Sequence, residues 1–178
     1  MAHSTLPLDY DAPDTFVVTE PAQLRALGDE VRARIIGLLR ERAASASELA
    51  ALLEMPKGTV GHHLHVLERA GLVHVVRTRR VRAVTEKYYG RVARLFLIQS
   101  EDELVHGAAA ASFRVVAAEL GASPEIAMHG HVRVRLGAAD AKRFNRRLDK
   151  LIDDARAAEA DAGETWGFGA ALYKLGPR

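Results

Sequence analysis

The stretch Ser45–Leu72, SASELAALLEMPKGTVGHHLHVLERAGL, decides the fold, and it reads as two helices joined by a short turn and closed by a stop. Ser45 and Glu48 have the spacing of a capping box, in which a hydroxyl and a carboxylate satisfy the free amides of a helix start. Leu49, Leu52 and Leu53 give this first helix an apolar face. Pro56 ends the pattern and sits where the first turn of the next helix tolerates a residue without an amide proton. From Lys57 a second helix is predicted. Val60, Leu64 and Leu67 fall at i, i+4 and i+7 and turn inward, which leaves Gly58, Gly61, His62 and His65 outside. Ala70-Gly71-Leu72 closes that helix on a glycine C-cap.

The outer face of the second helix is unusual. Each glycine inside a helix costs about 1 kcal/mol relative to alanine, with no local return unless another body must approach the backbone. A DNA major groove is such a body. Lys57, Thr59, His62, His65 and Arg69 flank the glycines with donors long enough to reach base edges and phosphates. Next come two β-prone runs, Leu72–Val76 and Val81–Tyr89, on either side of Arg77-Thr78-Arg79-Arg80. They predict a hairpin with a cationic tip, a wing beside a helix-turn-helix.

In these motifs residues of about 21–96 resemble the winged helix-turn-helix of the ArsR family of bacterial transcription regulators. Leu27-Gly28-Asp29-Glu30-Val31-Arg32 followed by Ile35-Ile36 and Leu38-Leu39 matches the family's opening helices. Glu48-Leu49-Ala50 matches its "ELA" helix, Thr59–Leu64 its recognition motif, and Glu68–Val73 its "Glu-x-Ala-Gly-Leu-Val". Glycines stand where many members carry serines. The resemblance implies a homodimer, commonly formed by helices that flank the winged unit, and a recognition helix laid in the major groove.

Composition sets the outer bounds. The chain has 178 residues, 48% of them hydrophobic and 27% charged, ordinary for a globular protein with one domain and an appendage. Its net charge of +2 conceals an asymmetry: residues 21–92 hold 13 basic against 7 acidic residues, whereas residues 1–20 hold Asp9, Asp11, Asp14 and Glu20 and no Lys or Arg. The positive charge is therefore gathered on the winged-helix segment, as a phosphate-binding footprint requires. With no cysteine, disulfides, thiolate metal sites and cysteine nucleophiles are excluded. No leader pattern opens the sequence and no long apolar run follows, so a cytoplasmic chain without membrane contact is expected.

Three segments are predicted. Residues 1–18 are an acidic, proline-interrupted, flexible N-terminal arm that orders against a partner subunit. Residues 19–99 form the winged helix-turn-helix DNA-binding domain, with Thr19 capping a helix that has Pro21 just inside. Residues 100–178 form the dimerisation and effector region. There Ser100–Glu103 repeats the capping-box spacing and opens a long helix through Leu120, whose small-residue face of Leu104, Ala108, Ala111, Val115 and Ala118 suits a dimer contact or packing on its own subunit. After it, alternation over 127–136 and 165–175 around a helix at 138–160 predicts a strand-helix-strand unit. The fold class expected is α+β, mainly α.

The chemistry expected is recognition. No Gly-rich phosphate loop, nucleophile elbow or paired carboxylate site is present, so no catalytic residue is assigned and an enzyme is not expected. His62, His63 and His65 do not supply the three or four converging ligands of a zinc site. His129 and His131 continue into Arg133 and Arg135 as a solvated face, and neither a metal nor a cofactor is assigned. His63 is expected as a partly buried packing residue bonded to backbone. The DNA-binding set is Lys57, Gly58, Thr59, Gly61, His62, His65 and Arg69 on the helix with Arg77, Arg79 and Arg80 on the wing. The expected partners are double-stranded DNA and a second copy; a small-molecule effector at the C-terminal unit is left open. The expected function is a homodimeric repressor reading a palindromic operator. A sensor of a metal or small anion, and a winged helix that binds only protein, are the alternatives.

Overall fold

The computed structural model describes residues 9–40, 42–81, 84–98, 102–158, 164 and 166–175. Within the chain, residues 6–118 form one compact unit and residues 119–178 fall in a second. The first opens with β1 (Thr15–Val18), α1 (Pro21–Leu27) and α2 (Glu30–Leu38) and continues through β2 (Ala44–Ser45), α3 (Ala46–Leu53) and α4 (Lys57–Arg69). It ends with β3 (Val73–Val81), β4 (Val84–Arg91), β5 (Leu95–Ile98) and most of α5 (Leu104–Ala122). This is a winged helix-turn-helix, α+β and mainly helical.

Local signals account for most helix ends. Pro21 occupies the first position of α1. The cap stands one residue later than expected, since the amide of Glu20 donates to Gln23 Oε1 at 3.2 Å. Asp29 caps α2 by accepting the amide of Arg32 at 3.0 Å. Arg32 reaches back to the open end of α1, its Nε donating to the carbonyl of Ala26 at 2.6 Å. The capping box of α3 is reciprocal, the amide of Glu48 donating to Ser45 Oγ at 3.3 Å and that of Ser45 to Glu48 Oε2 at 2.8 Å. Glu54 then turns the chain in the left-handed region at φ 55°. Past α4, Gly71 at φ +69° takes the conformation that favours glycine.

The core draws on β1, α1, α2, α3 and β3 and takes three residues from α4: Val18, Leu24, Ile35, Leu39, Leu49, Val60, Leu64, Leu67, Leu72 and Val73 are all almost wholly buried. Burial of each such side chain contributes about 1.5–3 kcal/mol. On α3 the buried residues are Leu49, Ala50 and Leu53, and Leu52 is exposed. Position 52 lies on the flank of the stripe that positions 49 and 53 define. The small face of α5 closes on its own subunit: Ala108 joins the core cluster beside Gly28, Ala111 is buried, and Val115 lies against Gly37 of α2. That packing carries the first unit past the expected boundary at residue 99.

Two pairings were not expected. β1 lies parallel to β5, Thr15 opposite Leu95 and Val18 opposite Ile98. β2 adds a third strand to the wing, Ala44 opposite Tyr89. The expectation of a flexible arm accordingly fails over residues 9–18, which are tied down by β1 and by side chains. Tyr10 donates its hydroxyl proton to the carbonyl of Leu39 at 2.8 Å and accepts the amide of Arg91 at 2.9 Å. Its ring fills the hollow above Gly90, where a Cβ would stand 2.7 Å from Tyr10 Cε2. Residues 1–8 lie outside the described residues. Arg91 itself is buried with its guanidinium 4.6 Å above the Phe96 ring. Burial, and secondarily Arg40, lowers its pKa to about 10.

In the second unit α6 (Ala138–Ala157) forms as expected, with no buried residue. Arg143 and Asp140 pair along it at 2.8 Å, and Lys150 and Asp154 at 3.0 Å. The strands expected on either side are corrected: among the described residues, 127–137 and 166–175 take part in no ladder. Alternation decides which side chains share a face, but a strand also needs a partner for its amides. The apolar members of the pattern, Val132, Val134, Trp166 and Phe168, stand exposed.

Candidate nucleic-acid interface

α4 exposes one continuous face. Val60, Leu64 and Leu67 anchor it inward, and Lys57, Gly58, Thr59, His62, His65 and Arg69 are exposed on the other side. A Cβ built on Gly58 or on Gly61 would meet nothing within 4 Å. The backbone is bare at both positions, and neither glycine is required by packing. The amide of Thr59 donates to the carbonyl of Pro56 at 3.0 Å, and that of Val60 to the same carbonyl at 3.2 Å, so the first turn of α4 is closed. Arg69 continues the exposed face but stands twelve residues beyond Lys57, on the order of 18 Å along the axis at 1.5 Å per residue.

The wing abuts the start of α4. Lys57 shares an open crevice of about 420 Å³ with Ala46 and Ser47 of α3 and with Thr85, Glu86, Lys87 and Tyr89 of β4. Hairpin register places Arg77 opposite Tyr88, Arg79 opposite Glu86 and Arg80 opposite Thr85. The four residues from Arg77 to Arg80 are thus strand, not tip, and β3 runs on to Val81; Arg82 lies outside the described residues. A run of charges was read as a turn, whereas the ladder with Thr85–Tyr88 satisfies its backbone. Alternation sets Arg77 and Arg79 on one face of the wing and Arg80 on the other.

The ten candidate residues therefore divide. Lys57, Gly58, Thr59, Gly61, His62 and His65 share the near end of one helix face, with Arg79 across the crevice residue Glu86. Arg80 is exposed on the opposite face of the wing. Arg77 is drawn elsewhere: its Nη1 lies 2.6 Å from Asp9 Oδ2, and its guanidinium stacks 4.8 Å above the Tyr88 ring.

Glu86 escaped the sequence reading. Hydrogen bonds from Ser45 and Ser47, with Lys57 and Arg79 nearby, hold its carboxyl below the usual carboxylate range. It fastens the second wing strand to the start of α3. A Glu opposite an Arg in a hairpin is the signal that could have found it.

His63 lies on the flank of α4 against α2. Its side chain is half-buried, as expected, but Nδ1 makes no hydrogen bond among the described residues and stands 3.6 Å from Asp29 Oδ1. Burial lowers its pKa, outweighing the opposing pull of Asp29. A histidine whose folded pKa lies below its unfolded value binds fewer protons in the folded state, so stability is intact above about pH 6.5 and is lost as the pH falls below it. The thermal midpoint is expected to fall between pH 7.5 and 5.5, and the fall to be smaller in His63→Gln. Melts of both proteins at the two pH values measure this, and equal slopes would remove His63 from the account.

Residues 27–76, from the end of α1 into β3, match the family model described as a helix-turn-helix domain. Among solved structures, HlyU from Vibrio cholerae is 24% identical over 54% of this chain and 87% of that one, with a TM-score of 0.34. The homodimeric winged helix-turn-helix DNA-binding domain of Mb0332 from Mycobacterium bovis, a possible ArsR-family transcriptional regulator, is 24% identical over 62% of this chain and 86% of that one, with a TM-score of 0.35. An ArsR-like transcriptional regulator from Rhodococcus sp. RHA1 is 22% identical over 78% of this chain and 91% of that one, with a TM-score of 0.33. No curated protein matches the chain. No helix among the described residues is long and apolar enough to cross a membrane. On its own residues and on the family match, the chain carries a helix-turn-helix domain of the winged kind, resembling that of the ArsR-family regulators.

Proposed function

We propose that the chain is a sequence-specific regulator of transcription that binds double-stranded DNA as a homodimer and represses by occupying a promoter. The observation that carries this reading is the bare backbone at Gly58 and Gly61 beside Lys57, Thr59, His62 and His65, with the wing adjoining. A groove can approach such a helix closely, and the side chains bordering the glycines then reach base edges. Arg79 supplies a phosphate contact from the wing face that adjoins α4, which fixes register without reading sequence. The second copy is supported by α5: His106, Ala110, Phe113, Ala117 and Leu120 are exposed at alternating four- and three-residue spacing, a seam suited to another helix. Two recognition helices related by a twofold axis then read half-sites about one helical turn apart.

A salt titration of binding to random duplex tests the proposal. Wild type is expected to bind with affinity that falls steeply with salt. Arg79→Ala is expected to weaken binding on every sequence and to flatten the log–log slope by about one. An unchanged slope would show that Arg79 meets no phosphate, and no binding at any salt would end the DNA reading.

A further inference from the structure

The wing arginines differ in what already holds them. Asp9 accepts the amide of Ala43 at 2.7 Å through Oδ1, which leaves Oδ2 directed at Arg77 Nη1 at 2.6 Å. The next residue, Tyr10, is pinned between Leu39 and Arg91, and two residues after Asp11 the carbonyl of Pro13 accepts the amide of Arg94 at 2.9 Å. The carboxylate is thus a fixed acceptor rather than the end of a loose chain. Arg77 is different: 43% of its side chain is exposed, and nothing but Asp9 and the Tyr88 ring engages its guanidinium among the described residues.

A carboxylate and a phosphate offer a guanidinium the same pair of acceptor oxygens. We propose that Asp9 occupies Arg77 in the place of a DNA phosphate, so that the N-terminal segment limits how many phosphates the wing neutralises. The inference rests on the DNA-binding reading. Under it, Arg77 has two mutually exclusive anionic partners, one supplied by the chain and one by the duplex. The strap that carries the first is acidic, with Asp9, Asp11, Asp14 and Glu20 and no Lys or Arg among residues 1–20. Arg77 lies on the same wing face as Arg79, so a side chain released from Asp9 is placed to take an external anion instead. Because the pair persists against the duplex, the wing's basal affinity is set below what its arginine count implies.

Asp9→Asn is the discriminating variant, because Asn retains the oxygen that accepts the amide of Ala43 and loses only the charge. On random duplex over about 50 to 200 mM salt, it is expected to bind about two- to fivefold tighter, the scale of an exposed ion pair. Its log–log slope is expected to steepen by about 0.9, one phosphate's worth. Asp11→Asn removes the same charge two residues away and is expected to leave the slope unchanged. In an Arg77→Ala background, Asp9→Asn is expected to have no effect on slope. Equal behaviour of the Asp9 and Asp11 variants, or an Asp9 effect that survives loss of Arg77, would overturn the proposal. Arg77→Ala alone gives a second reading that touches no backbone hydrogen bond. Its slope should change much less than that of Arg79→Ala, and an equal loss would mean that Arg77 already meets phosphate in the wild type. Binding that responds to Arg79→Ala but not to Asp9→Asn sinks the competition alone, whereas absence of binding in every variant sinks the DNA reading and the competition with it.

Discussion

Replacing Gly58 and Gly61 together by alanine is expected to stabilise the chain by about 1–2 kcal/mol and to weaken its binding to a duplex selected by the wild type by about tenfold or more. The first half follows from helix propensity, each glycine costing about 1 kcal/mol in a helix interior. Nothing lies within 4 Å of either added Cβ, so the methyl groups introduce no clash in the free protein. The second half follows from the groove. A methyl group on the face that meets base edges holds the helix axis away, and loss of one good base contact costs about 1–3 kcal/mol. The two effects have opposite signs, which separates them from general damage. Urea unfolding and fluorescence anisotropy on the same preparations measure both. A double variant that is more stable and binds as before would show that this face meets no duplex.

Gly90→Val is expected to remove about 1–3 kcal/mol of stability, the range for forcing extra carbon into a packed site. Its Cβ would stand 2.7 Å and 2.8 Å from two ring atoms of Tyr10 and 2.8 Å from Val76 Cγ1. The Tyr10 ring has no free end to bend aside, because its hydroxyl is held by Leu39 and Arg91. The valine therefore expels the ring, and both hydrogen bonds go with it. Chemical unfolding of Gly90→Val, Tyr10→Ala and the pair gives a double-mutant cycle. The pair is expected to cost far less than the sum, since each change destroys the same contact. Additive losses would show that the ring and Gly90 do not share a site.

Local, contiguous signals were legible in the sequence, and distant partnerships were not. The Ser45–Glu48 box, the Pro56 boundary, the Val60-Leu64-Leu67 stripe and the Gly71 stop each act within a few residues, and each stands where spacing placed it. The outward-facing glycines were legible for the same reason. Tyr10 and Asp9 were not, since their partners lie at Leu39, Ala43, Arg77 and Arg91 and leave no period behind. Arg77–Arg80 misled because charge suggests a turn, while strand pairing is decided by the facing residues Thr85–Tyr88. Residues 130–136 misled in the opposite sense: their alternation is that of a half-buried strand, and no neighbour in the described chain pairs with it.

The parallel union of Thr15–Val18 with Leu95–Ile98 has a bearing on how the protein is made. A nascent chain presents the first of these strands to solvent long before the ribosome has delivered the second, and everything that lies between, helices and hairpin alike, emerges in the interval. Until Leu95 arrives, the inner wall that Val18 completes stays open and an unmatched strand edge is left for other molecules to find. Translation products interrupted anywhere before Leu95 would for that reason expose a strand edge that the finished chain covers.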